Sequence, residues 1–66
     1  MDYQKLNETI EESGMMRSFI AKELGMKPST FNSRTSGRTA WKVDEMLAFC
    51  RVLKLNRAQM NLIFLS

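Results

Sequence analysis

The sequence predicts an all-α protein, a compact bundle of five short helices. Three observations support this prediction. Apolar residues recur at spacings of three and four along almost the whole chain, as they do on the buried face of a helix. No segment shows the strict apolar–polar alternation that is typical of a half-buried strand. Finally, Gly14, Gly25 and Gly37 divide the chain into lengths that suit short helices.

The first two helices are delimited by a capping residue and by glycines. The first is predicted from Asp2, a good N-cap residue, to Ser13, and Gly14 stops it. Its apolar face consists of Tyr3, Leu6 and Ile10. The second is predicted from about Met16 to Leu24, where Gly25 ends it. Its apolar residues are Phe19, Ile20, Ala21 and Leu24.

The last three helices follow from a proline, an apolar stripe and a capping pair. The third begins at Lys27 or Pro28, because proline fits the first helical position, and it stops at Gly37. After a linker over residues 38–42, a fourth helix has the predicted apolar stripe Val43, Met46, Leu47, Cys50 and Leu53. The fifth begins at Asn56, which forms a capping pair with Gln59. Its apolar residues are Met60, Ile63 and Phe64.

Composition excludes most enzyme chemistry. With 66 residues the chain has room for one domain, and Cys50 is its single cysteine, while histidine is absent. No internal disulfide, zinc site or Cys–His pair can therefore form, and we expect no enzyme, no metal and no cofactor. No apolar run is long enough for a membrane span, and the first residues lack the pattern of a signal peptide. We expect a cytoplasmic protein without a membrane partner.

The charges are unevenly distributed. The first 13 residues contain four carboxylates and one lysine, whereas residues 14–42 contain six Lys or Arg and a single Glu. A basic segment within a folded domain is typical of a protein that binds a polyanion, although a solvated basic face gives the same pattern.

The spacing of Ala21, Gly25 and Phe31 indicates a sharp turn between the second and third helices. Two helices that cross steeply need a small residue at the crossing, and the turn needs a left-handed backbone conformation that glycine adopts freely. Phe31 then packs back on the second helix, and Met26 plugs the turn. The pattern favours a helix-turn-helix, and the alternative is a plain helical hairpin within a small bundle.

The run from Arg17 to Gly37, which includes "IAKELGMKPSTFNSRTSG", resembles the helix-turn-helix of Cro and lambda-type phage repressors, the broad Xre group. Trp41 after the glycine and the ending "MNLIFLS" resemble short Cro-like phage or prophage regulators. The likeness extends over nearly the whole chain. It implies a lambda repressor-like DNA-binding domain over residues 1–66, and a transcriptional repressor that reads an operator in double-stranded DNA within a bacterial cytoplasm.

With Phe31 facing the core, the opposite side of the third helix is predicted to read bases in the major groove. The predicted base-reading residues are Lys27, Pro28, Ser29, Asn32 and Ser33. Phosphate contacts are predicted for Arg17, Arg34, Ser36, Arg38 and Lys42. The alternative is that these polar residues only solvate an exposed helix. Arg51, Lys54 and Arg57 are expected on the solvated surface, Trp41 as a core lid and Cys50 as a buried thiol.

So small a domain reads few base pairs, so we expect a homodimer on a pseudo-palindromic operator, and no small-molecule ligand. Its interface is predicted among Phe64, Leu65, Leu62 and Trp41, unless the monomer core absorbs them. A different class of function also fits the composition: a helical protein-interaction module, such as an antirepressor that binds another regulator.

Overall fold

A computed structural model describes residues 1–65, and all regular secondary structure within them is helical. The five helices are α1 (Tyr3–Glu12), α2 (Arg17–Glu23), α3 (Pro28–Thr35), α4 (Val43–Val52) and α5 (Arg57–Phe64). The predicted all-α bundle is confirmed, and each helix lies where punctuation and apolar spacing predicted it.

Capping side chains set the starts of α1 and α5. The Asp2 carboxylate accepts a hydrogen bond of 2.9 Å from the backbone N–H of Lys5. At α5, the side chain of Asn56 accepts from Gln59 N at 2.8 Å, and the side chain of Gln59 accepts from Asn56 N at 2.9 Å. These bonds satisfy donors that a helix start leaves unpaired, so the predicted capping pair is confirmed.

All five helices contribute buried residues to the core, which contains an aromatic cluster. The rings of Trp41, Phe49 and Phe64 are in mutual edge-to-face contact, with centroids 5.4 to 5.9 Å apart. The indole Nε1 of Trp41 donates to the carbonyl of Arg34 at 2.9 Å. Trp41 is therefore a core lid, as predicted. The other buried apolar residues are Leu6, Ile10, Ile20, Ala21, Phe31, Cys50, Leu53 and Ile63.

The apolar face of α4 differs from the prediction. Val43 and Leu47 are 70% and 53% exposed, whereas Phe49, which lies outside the predicted stripe, is fully buried. The buried stripe consists of Phe49, Cys50 and Leu53, and Met46 packs against it half-buried. Phe49 has the largest side chain on α4, and its packing against Trp41 and Phe64 determines which face of the helix points to the core.

One more apolar residue of a helix differs from the prediction, and two residues of the predicted dimer patch are buried. Phe19, placed among the apolar residues of the second helix, is 48% exposed. Phe64 and Trp41, considered for a dimer patch, are buried, and only Leu62 and Leu65 remain exposed. The monomer core has therefore absorbed the aromatic half of that predicted patch.

Candidate nucleic-acid interface

The turn between α2 and α3 has the features that the sequence predicted. Gly25 adopts a φ of 70°, and the backbone N–H of Gly25 donates to Lys22 O at 3.0 Å. The N–H of Met26 donates to Ala21 O at 2.9 Å, which completes a Schellman motif. Ala21 and Phe31 are each 1% exposed, so the small residue and the aromatic ring occupy the core side of this helix pair.

Burial of Phe31 and Thr35 fixes which face of α3 points outward. These two residues are one turn apart and mark the core side of the helix, so the opposite side faces solvent. Lys27, Pro28, Ser29 and Asn32 are exposed, and Ser33 is half-buried. Within residues 1–65, no hydrogen bond engages the side chains of Ser29 and Asn32, which leaves their donors and acceptors available to a ligand. All five predicted base-reading residues thus belong to one short helix or its N-cap.

Three of the predicted phosphate-binding residues are exposed after the last buried position of α3. Ser36 is the C-cap residue, and Arg38 and Lys42 lie in the linker to α4. The backbone N–H of Arg38 donates to Ser33 O at 3.0 Å, which folds the linker back against α3. In the described part of the chain, neither Arg38 nor Lys42 forms a salt bridge. Arg38 therefore has no carboxylate contact there, whereas the charge of Lys42 lies near enough to Glu45 to help lower the pKa of that carboxyl.

Arg17 connects three helices through its guanidinium. Its Nη2 donates to Thr35 Oγ1 at 2.7 Å, and its Nη1 donates to Asn7 Oδ1 at 3.1 Å. The guanidinium carbon lies 5.2 Å from the centroid of the Phe31 ring, within the range of a cation–π interaction. The residue as a whole is exposed. Arg17 thus reaches solvent while two of its nitrogens bind protein partners.

Asn7 and Thr35 complete this network. The amide nitrogen of Asn7 donates to Tyr3 O at 2.8 Å and to Thr35 O at 3.0 Å. The hydroxyl of Thr35 donates to Phe31 O at 3.1 Å and accepts from Arg17. Neither Asn7 nor Thr35 is among the residues for which the sequence predicts a role. The sequence feature that could have indicated Asn7 is an asparagine, a weak helix former, within α1 on the side that contains Tyr3.

Arg34 is paired within the protein. Its Nε lies 2.9 Å from Glu45 Oε1, the side chains of the two residues are 14% and 15% exposed, and Thr39 Oγ1 accepts from Arg34 Nη1. The hydrogen bond from Arg34 holds the pKa of Glu45 below its ordinary value, and Glu45 in turn raises the pKa of Arg34. Glu45 Oε1 also accepts from Lys42 N at 2.9 Å. Arg34 therefore joins α3 to the start of α4, and its cation has a carboxylate partner.

The residues described contain no cluster of three His, Cys, Asp or Glu side chains that could hold a metal ion. Cys50 is a buried free thiol, as predicted, and burial raises its pKa. Among the five helices described, none is long and apolar enough to cross a membrane.

The described residues form a small all-α bundle in which a tight turn joins α2 to α3. The outer face of α3 has polar side chains without hydrogen-bond partners in this part of the chain, and Arg38 and Lys42 after it form no salt bridge there. Comparison of the chain with protein-family models, curated proteins and solved structures finds no match.

Proposed function

We propose that this protein is a sequence-specific transcriptional regulator that binds double-stranded DNA through α3 in the major groove. The observation that supports this proposal best is the outer face of α3. It presents the side chains of Lys27, Ser29 and Asn32, which have no hydrogen-bond partner among residues 1–65, on a helix anchored by Phe31 and Thr35. A narrow helix with small polar side chains suits a groove about 12 Å wide that displays a distinct donor and acceptor pattern for each base pair.

Each side chain on this face has a matching chemistry on DNA. Asn32 can bond N6 and N7 of adenine in a bidentate pair, and Ser29 and Ser33 can donate or accept. Lys27 reaches guanine or a phosphate. Arg38 and Lys42 bind phosphates, which fixes the position of the domain without reading sequence.

The two remaining predicted phosphate ligands differ in availability. Arg17 retains N–H groups beyond the two that bind Asn7 and Thr35, so it can present them to a phosphate in a fixed orientation. Arg34 is paired with Glu45, and we assign it a structural role. Four cations remain, namely Arg17, Lys27, Arg38 and Lys42, and they give an expected slope of log affinity against log salt of about −4 per copy.

Regulators of this size bind DNA in pairs, and the resemblance to Cro-type repressors implies a pseudo-palindromic operator. The longest dimension of the described chain is 27 Å. Two copies can therefore stand on one DNA face about 34 Å apart, one helical turn, without overlapping.

The proposal is tested by selecting bound sites from random duplex DNA and then titrating two variants on the selected site. Asn32→Ala is expected to weaken binding by about 1–3 kcal/mol and to relax preference at one base position. Arg38→Ala is expected to weaken binding to all sequences alike and to reduce the salt slope by about one. If no motif is enriched at low salt, the protein is not a sequence-specific regulator. If both variants behave alike, the assignment of the faces is wrong.

A second candidate function is a protein-interaction module, such as an antirepressor. Exposed apolar side chains on α2 and α4, two helices that pack against each other, favour it. These side chains are Phe19, Val43 and Leu47, which are 48% to 70% exposed. Tight binding to another regulator without retention on DNA would support it. Phe19→Ser would then abolish that binding, whereas under the DNA-binding proposal it leaves operator affinity unchanged.

A further inference from the structure

The side chain of Asn7 links α1 to both α2 and α3. Asn7 is half-buried, and its Oδ1 accepts from Nη1 of Arg17, the first residue of α2, at 3.1 Å. Its Nδ2 donates to Tyr3 O at 2.8 Å and to Thr35 O, in the last residue of α3, at 3.0 Å. One amide group on α1 therefore contacts a predicted phosphate ligand on α2 and the end of the reading helix.

The partners of the Asn7 amide permit only one orientation of this group. An amide side chain has its donors on nitrogen and its acceptor on oxygen, and a guanidinium has donors only. Both groups that face Nδ2 are carbonyl oxygens, so the opposite orientation would place Oδ1 against two acceptors. It would also place Nδ2 against the N–H groups of Arg17. The backbone carbonyls thus fix an acceptor toward Arg17.

Thr35 supplies a second acceptor of fixed orientation. Its hydroxyl donates to Phe31 O at 3.1 Å, which leaves a lone pair of Oγ1 for Nη2 of Arg17 at 2.7 Å. The Phe31 ring lies against the same guanidinium, with its centroid 5.2 Å from the guanidinium carbon. Protein groups therefore orient an arginine that is exposed as a whole. Because two of its five N–H groups are bonded, three remain for a ligand.

We propose that Asn7 is a positioning residue for DNA binding, which holds the guanidinium of Arg17 in the orientation that binds a backbone phosphate. The inference rests on the proposed function, and it adds α1 to the elements that determine DNA affinity. A long side chain that is ordered before binding loses less rotamer freedom when it makes its contact. Since the ligand is a phosphate, the gain in affinity is the same for every base sequence.

The test is a double-mutant cycle of Asn7→Ala and Arg17→Met, titrated on the selected duplex and on an unrelated duplex over a range of salt concentrations. Asn7→Ala is expected to weaken binding to both duplexes about three- to tenfold, the effect of freeing one long side chain. Its salt slope is expected to stay unchanged because the cation is retained, whereas Arg17→Met lowers the slope by about one. In the Arg17→Met background, Asn7→Ala is expected to have no further effect on affinity, because no guanidinium is left to orient.

Ser13→Ala is the matched control for a general loosening of α1. The hydroxyl of Ser13 donates to Ile10 O at 2.6 Å and accepts from Met15 N at 3.1 Å, so the substitution removes two bonds at the end of α1 and none to Arg17. It is expected to leave DNA affinity nearly unchanged. All titrations are made at a temperature at which circular dichroism shows every variant to be folded.

The outcomes separate this inference from the proposed function. The inference is overturned if Asn7→Ala leaves affinity unchanged, if it weakens binding equally with and without Arg17, if Ser13→Ala weakens binding as much, or if Arg17→Met does not weaken binding. In each of these cases, selective binding of the unmodified protein to the selected duplex still upholds the proposed function. If the unmodified protein binds no duplex, the proposed function fails, and this inference fails with it.

Discussion

Replacement of Thr35 by valine tests whether the network around Arg17 stabilises the fold. The side chain of Thr35 is almost fully buried, with 2% of the residue exposed. Its hydroxyl accepts from Arg17 at 2.7 Å and donates to Phe31 O at 3.1 Å. Valine has nearly the same shape and removes both bonds, so the variant isolates the hydroxyl from the packing of the side chain.

The expected loss of stability follows from the charge and exposure of the partner. A hydrogen bond from a charged donor contributes about 1.5–3 kcal/mol to stability. Water replaces part of that interaction here because Arg17 is exposed, so we expect Thr35→Val to destabilise the domain by about 1–2 kcal/mol. In a domain of this size, each kcal/mol lowers the Tm by about 4–8 °C.

Urea unfolding of Thr35→Val and Thr9→Val provides the comparison. Thr9 is a matched control because its hydroxyl also donates to the carbonyl four residues earlier, Lys5 O at 2.7 Å, and makes no bond to another helix. Thr9→Val is expected to change stability by less than about 0.5 kcal/mol. Equal effects of the two substitutions would show that Arg17 adds nothing.

A double-mutant cycle with Arg17→Met assigns the effect to the pair. Methionine keeps an unbranched side chain beside Phe31 and removes the charge. We expect a coupling energy between positions 17 and 35 of about 1 kcal/mol, since the hydrogen bond exists only when both residues are present. Additive effects of the two substitutions would refute the reasoning.

Two further predictions concern positive φ angles and the acid range. Gly25→Ala is expected to lower the free energy of unfolding by about 1–2 kcal/mol because the φ of Gly25 is +70°, although no atom crowds the new Cβ. Gly37→Ala is expected to lower it by more, because the new Cβ would also lie 3.1 Å from the Tyr3 ring. Lys54 has a φ of 57°, a conformation that glycine adopts more easily than lysine. Lys54→Gly is therefore expected to raise the free energy of unfolding by about 0.5–1 kcal/mol, and the Tm with it. A lower Tm would contradict the argument from backbone strain. Because the folded-state pKa of Glu45 is lowered, its contribution is complete above its ordinary pKa of 4.5 and is lost as the pH falls through the folded-state value. Glu45→Gln is therefore expected to unfold more easily at neutral pH and to lose less stability on acidification, and parallel curves for the two proteins would contradict this.

The helix boundaries could be predicted from sequence because local chemistry determines them. The side chains of Asp2 and Asn56 accept hydrogen bonds from backbone N–H groups three residues later, and the glycine after α2 adopts the left-handed conformation that ends that helix. The signal for each of these boundaries therefore lies within a few residues of it. The end of α4 shows the limit. Leu55 N donates to Cys50 O at 2.8 Å in the same kind of motif that ends α2, but the left-handed position holds Lys54 instead of glycine. No glycine or asparagine marks this end of the helix, so no local signal predicted it.

The buried face of α4 could not be predicted because two stripes compete. Val43 and Leu47 extend a helical pattern as well as Met46 and Phe49 do, and spacing alone does not rank them. The choice depends on Trp41 and Phe64, which lie 8 residues before and 15 residues after Phe49 in sequence. A non-local aromatic contact thus decides the rotation of the helix.

The roles of the basic residues divide in the same way. Exposure of Ser29, Asn32, Arg38 and Lys42 follows from the period of α3 and the turn after it, which the sequence contains. The pairing of Arg34 with Glu45 depends instead on how α4 docks, and a charge count treats this cation as equal to the unpaired ones. A basic segment in the sequence therefore overstates the number of cations that are free of a carboxylate partner.

Arg17 and Arg34 both have partners within the protein, and these contacts bear on how α3 would bind DNA under the proposed function. Arg17, through Thr35, and Arg34, through Glu45, both hold the last turn of α3, while the Schellman turn at Gly25 and Met26 fixes the entry to the helix. The helix is therefore held at both ends by contacts with α2 and with the start of α4. A reading helix that is positioned before binding loses less conformational freedom when it docks, so fewer direct contacts are needed for a given affinity. Under the proposed function, Arg34→Ala is expected to weaken DNA binding by loosening α3, with an effect that persists at high salt in DNA titrations. The effect of Arg38→Ala is expected to fade as salt screens the proposed phosphate contact.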